Sequence, residues 1–185
     1  PYEGGIRQPI FFNWPGKLKS ADRQELVSSI DLFPTIVKAA GARMPEGLPG
    51  LDLWSTIREG TKIKRKGILG EGFAHDIKDI ENPEDTLLYR WTIEGRWKLL
   101  LGRGPQGKRR VANGQLLYEL YDLERDPGEQ DNLAKQHPAV VEQLVQRITE
   151  LVEDGRSNPG PKQANHGRWW PQLSWIKGPA GSGKR

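Results

Sequence analysis

A chain of 185 residues without a single cysteine excludes disulfides, thiolate zinc sites and cysteine nucleophiles. Its mean hydropathy is −0.70, and no apolar run reaches the roughly 20 residues of a membrane helix, so no membrane partner is expected. The formal charge of +4 does not point to nucleic acid: six of the 28 Lys and Arg lie beyond Asp154 with no acid among them, leaving 22 basic against 24 acidic residues before that point. Such a tail reads as a solvated appendage.

Pro1 stands where an initiator Met would, with no charged-then-apolar leader behind it, so position 1 reads as an internal point of a longer polypeptide. Residues 9–14 are an apolar run closed by Pro15-Gly16, which predicts a buried strand ending in a turn. Apolar positions at Leu26, Val27, Ile30, Phe33, Ile36, Val37 and Ala40 follow helical spacing. With Asp31 as cap, Pro34 in the first turn and Gly41 as left-handed stop, they predict a helix over 32–40.

Residues 42–66 are loop-rich, with one helical turn over 53–58. Strand-like stretches follow at 67–73, 86–93, 97–101 and 115–123, and Glu94-Gly95-Arg96 is a hairpin turn between the second and third. Together they predict a small antiparallel sheet. Residues 138–152 carry a stripe of Val140, Val141, Leu144, Ile148, Leu151 and Val152, with Pro138 at its start and Gly155 past its end. This predicts a long helix covering one sheet face. Residues 155–185 are expected to be extended, with Trp169, Trp170 and Trp175 docked on the body.

Three segments carry a resemblance. The first is Tyr2-Glu3-Gly4-Gly5-Ile6-Arg7-Gln8-Pro9-Ile10 with Trp14-Pro15-Gly16, and the second is Ser28-Ser29-Ile30-Asp31-Leu32-Phe33-Pro34-Thr35. The third is Leu120-Tyr121-Asp122-Leu123-Glu124-Arg125-Asp126-Pro127, followed by Glu129, Asn132-Leu133 and His137-Pro138, and Trp97-Lys98-Leu99 precedes it. In this order they resemble the C-terminal third of the type I, formylglycine-dependent sulfatases of the alkaline-phosphatase-like superfamily. The resemblance implies an α/β fold: residues 1–58 as the last strand and helix of the large catalytic domain, and 59–154 as a C-terminal subdomain of antiparallel sheet plus helix, with a basic tail over 155–185. Glu3 and Arg7 are expected to pair across the Gly4-Gly5 turn at the edge of the cleft, in a structural role.

The resemblance further implies hydrolysis of aryl or carbohydrate sulfate esters by a formylglycine made in a Cys/Ser-x-Pro-x-Arg motif, beside a divalent cation, usually calcium. It also suggests a periplasmic or secreted location. None of the seven serines has Pro and Arg at the required offsets, so no catalytic nucleophile and no metal ligand is assigned within this chain. On that reading the chain alone is inactive, and its partners are the preceding part of the same protein and a sulfated small molecule or polysaccharide.

Residues that could line a substrate pocket remain. Residues 70–76 end a strand in a glycine-broken loop, where polar groups face a cleft. Glu71, His75 and Arg90 are the candidates for holding a sulfated ligand, against the plainer readings of a surface loop histidine and an arginine paired to a neighbouring acid. The basic runs at 62–66 and 108–110 read first as solvated loops and second as attractors of a polyanion. Residues 178–184 have P-loop spacing but lack the hydroxyl residue and the following helix. Two further functions stay open: a phosphodiesterase or phosphonate hydrolase of the same superfamily, and a non-catalytic module that binds sulfated glycans.

Overall fold

A computed structural model describes residues 1–75, 80, 86–102, 111–112, 115–116, 118–157 and 160–162. The elements, in chain order, are α1 (Glu3–Ile6), a 3-10 turn (Ser29–Asp31), α2 (Leu32–Ala39), α3 (Trp54–Glu59), β1 (Gly67–Phe73), β2 (Leu87–Glu94), β3 (Trp97–Gly102), β4 (Val111–Ala112), β5 (Gln115–Leu116), β6 (Tyr118–Asp122) and α4 (Pro138–Asp154). Residues 158–159 and 163–185 of the predicted tail, with its three tryptophans, the 108–110 basic run and the 178–184 loop, lie outside the described residues.

Four strands form one antiparallel sheet in the order β1-β2-β3-β6, and β4 pairs with β5 separately. The β2–β3 hairpin turns on Gly95, whose φ of +58° suits the first position of a two-residue hairpin loop. Alternate residues point to opposite faces. One face, with Leu99, Leu101, Leu120 and Leu87, forms the core with Val141, Leu144, Ile148 and Val152 of α4. Helix α4 begins with Pro138 in its first turn and stops at Gly155 at φ +64°, as its sequence signals predict. The outer edge of β6 is occupied: the Asn132 side chain accepts from Leu120 N–H at 3.1 Å and donates to Tyr118 C=O at 3.1 Å. A side-chain amide thus stands in for a neighbouring strand.

Helix α2 ends in paired bonds from Gly41 N–H to Lys38 C=O and from Ala42 N–H to Val37 C=O, both 3.1 Å, with Gly41 at φ +67°, which completes a Schellman stop. Contrary to the expectation from sequence, Asp31 does not cap this helix with its side chain. Its carboxylate is fully buried and accepts from Ser28 N–H and Leu51 N–H at 2.8 Å. The Arg65 guanidinium grips it with two bonds of 2.7 Å. Gly50 is required beside it, because a Cβ there would lie 2.0 Å from the Ile30 carbonyl oxygen. Arg65 therefore leaves the solvated basic run and becomes the anchor of the 26–65 loops.

Residues 9–14 do not form the predicted strand: they carry no strand pairing among the described residues, and Phe11 is 88% exposed. An apolar run specifies a strand only when a neighbouring ladder receives it. The turn after it is present, with Lys17 N–H donating to Trp14 C=O at 3.0 Å.

On the sheet face away from α4, the half-buried Trp91 indole lies across Gly70, where an added Cβ would meet Trp91 Cζ2 at 2.0 Å. Gly70→Ala is expected to cost about 1–3 kcal/mol by forcing this ring aside. The shift in the denaturant midpoint at unchanged slope measures it, and a wild-type midpoint refutes the packing described.

Candidate functional site

The second face of the sheet carries charge where a strand interior ordinarily carries apolar groups. In β3 the alternation places Trp97, Leu99 and Leu101 toward α4 and Lys98 away from it. Lys98 is 0% exposed, and its ammonium lies 2.9 Å from Glu3 Oε1 and 2.7 Å from Glu129 Oε1. Both carboxylates are themselves buried. Glu129 Oε2 also accepts the backbone N–H of Glu3, so Glu3 is tied through its side chain and its main chain. The Lys98 ammonium stands 5.4 Å from the centre of the Trp91 ring, a cation–π contact on its remaining side.

Each member arrives by a different local device. Glu3 opens the single turn of α1. Glu129 sits in the loop after β6 at φ +54°, a left-handed conformation uncommon outside glycine. That loop is wound by two aspartates, as the sequence predicts. Asp122 accepts from Glu124 N–H at 3.3 Å and from Arg96 Nε at 2.8 Å. Asp126 accepts from Gln130 N–H at 2.7 Å and Asp131 N–H at 2.9 Å. Beside the triad, the Tyr2 and Tyr121 hydroxyls both donate to Glu119 Oε2 at 2.7 Å, and their rings meet edge to face at 6.3 Å. The segment from Tyr2 to Glu3 is thereby fastened to β3, β6 and the following loop at once.

The structure does not bring the five sequence candidates together. Glu3 pairs with Lys98 and not with Arg7, a correction that follows from α1: its single turn carries Arg7 to an exposed position with no ion pair among the described residues. Glu71 and Arg90 are direct partners across β1 and β2, and Arg90 Nε donates to Glu71 Oε1. Their register puts them on the α4 side, with Leu69 and Leu101, opposite the face of Glu3 and Lys98. His75 lies exposed just past β1, where Ala74 N–H donates to Thr86 C=O at 2.7 Å. The sequence shows Lys98 and Glu129 within the segments that carry the resemblance, but gives neither of them a role in a site. The available signal was the lysine itself, inside a strand otherwise made of Trp, Leu and a terminal Gly.

Among the described residues no group of three or more His, Asp or Glu is placed to hold a metal ion, and the chain has neither a Cys nor a Ser within a Cys/Ser-x-Pro-x-Arg motif for a formylglycine. The described residues fit neither group. No helix among the described residues is long and apolar enough to cross a membrane.

No family model matches the chain. Among curated proteins, N-acetylgalactosamine-6-O-sulfatase of Bacteroides thetaiotaomicron is 31% identical over 158 residues, covering 82% of this chain and 28% of the relative. The chain belongs to the sulfatase family. A sulfatase of Formosa agariphila is 29% identical over 147 residues, 75% of this chain and 24% of that protein. Human arylsulfatase A is 28% identical over 176 residues, 90% and 34% respectively. This sulfatase chain thus spans 24–34% of the length of these relatives.

Solved structures agree on the fold. The yidJ protein of Bacteroides fragilis matches with a TM-score of 0.60 at 20% identity, over 89% of this sulfatase chain and 30% of its own. A phosphonate monoester hydrolase of Agrobacterium radiobacter matches at 0.51 and 23% identity, over 70% and 25%.

Proposed function

We propose that this chain is the C-terminal part of an enzyme hydrolysing aryl or carbohydrate sulfate esters, whose formylglycine nucleophile and calcium ligands belong to polypeptide outside it. The observation that carries the reading is the 31% identity to a sulfatase over 82% of the chain. The fastening of Tyr2 and Glu3 to the sheet supports it, because it gives the sheet and α4 a purpose, that of holding a motif-bearing segment in place.

The chain's own residues orient and enclose. Glu71 and Arg90 neutralise each other across the sheet, so they brace β1 against β2. His75, exposed at the end of β1, is the group set to touch substrate at a pocket wall. The partners are a sulfated small molecule or polysaccharide and the remainder of the same polypeptide, and the enzyme works in the periplasm or outside the cell.

Sulfate release from an aryl sulfate and from a sulfated monosaccharide tests the proposal. The protein containing this chain is expected to release sulfate, and the 185-residue chain alone is expected to release none. Faster cleavage of an aryl phosphonate monoester than of any sulfate ester would instead assign the chain to phosphoryl chemistry.

A further inference from the structure

We infer that Lys98 is a positioning residue, which through Glu3 fixes the Tyr2–Arg7 turn on the sheet for the reaction proposed above, on which this role rests. A buried ammonium between two buried carboxylates is not the easiest way to fill a strand position. Apolar residues of similar volume often serve stability as well or better, and the neighbours Trp97, Leu99 and Leu100 are apolar already. What the buried ammonium adds is selectivity: it stays buried only where carboxylates are delivered to it, and Glu3 is one of the two.

The turn has little else to orient it beyond the Tyr2 contacts. Among the described residues nothing lies within 4 Å of a Cβ built on Gly4 or Gly5, and Arg7 is exposed. Glu3 is the buried residue of α1, and both of its ties end on the triad. Movement of the Lys98 ammonium therefore moves the turn.

Glu3→Gln is the informative variant, since it leaves Lys98 and Glu129 as a one-to-one pair and the sheet folded. In the protein containing this chain, amide hydrogen exchange in a peptide over residues 2–7 is expected to quicken while exchange in α4 stays at the wild-type rate. Sulfate release is expected to show kcat lowered by about tenfold or more with KM within about threefold, the effect a small displacement has even when the change lies far from the chemistry. Lys98→Arg, which keeps the cation, is expected to recover most of kcat, and Lys98→Met is not. Leu144→Ala, a core change on the opposite sheet face, is expected to lower the melting temperature and leave kcat alone.

Unchanged exchange in Glu3→Gln would overturn the tether. Faster exchange with wild-type kcat would overturn the positioning role, as would an equal loss of kcat in Leu144→Ala. A wild-type protein that releases no sulfate would overturn the sulfatase reading and this role with it. That failure is told apart by the exchange rates, which do not depend on turnover.

Discussion

Lys98→Met destabilises the fold by about 3–5 kcal/mol, the expected cost of removing one partner from a buried ion pair and leaving the others uncompensated. Lys98 is 0% exposed and stands within 2.9 Å of both Glu3 and Glu129, so neither carboxylate can turn to water without dragging α1 or the post-β6 loop with it. The measurement is denaturant unfolding of the single variant beside Glu3→Gln/Lys98→Met/Glu129→Gln. The triple variant carries no unpaired charge at these positions and is expected to be the more stable of the two, a non-additivity that diagnoses direct coupling. A single variant within about 1 kcal/mol of wild type would show that the triad contributes no buried charge pairing.

Asp31→Asn is expected to produce a loss of similar size, about 3–5 kcal/mol, because it removes the carboxylate charge that neutralises a guanidinium only 4% exposed. Here the pH dependence gives an independent check. Burial alone would raise the Asp31 pKa. The bonds from Arg65, Leu51 N–H and Ser28 N–H outweigh it and hold the carboxyl below its ordinary value of 3.8. A carboxyl lowered by folding stabilises the native state above its ordinary pKa, and that contribution disappears as the pH falls through the lowered value. The wild type should therefore lose this increment only below about pH 3.8. Asp31→Asn should lack it at every pH and show a shallower acid limb in a pH series of unfolding midpoints. Parallel acid limbs for the two proteins would mean that Asp31 does not titrate with folding.

The elements that could be read from sequence are those whose signals are local. Helix α4 announces itself by a stripe between a first-turn proline and a terminal glycine, and the β2–β3 hairpin by Glu94-Gly95-Arg96. The buried charges announce nothing locally. Lys98 in an alternating strand reads as the solvent-facing residue, and its partners lie 95 residues before it and in a loop after β6. Arg65 reads as one of four basic residues in a run, and only the approach of the loop across Gly50 shows its carboxylate. Asp31, placed at a helix start, has the sequence of a cap and the environment of a core ion. Glu71 and Arg90 needed the strand register before their pairing was visible. For the same reason the five candidates read from sequence do not gather into one pocket.

The two ties on Glu3 also set an order of events when the protein is made. Residue 3 leaves the ribosome well ahead of its partners, and the carboxylate that its amide needs follows 126 residues later. The β1–β2–β3 meander can form in the meantime, because neighbouring strands close short loops, whereas joining residue 3 to residue 129 closes a long one. Lys98 and Glu119 can receive the segment around residue 3 as the sheet assembles, but its second tie on Glu3 closes only when the turn after β6 emerges. The contacts of this turn are thus completed long after the turn itself is made.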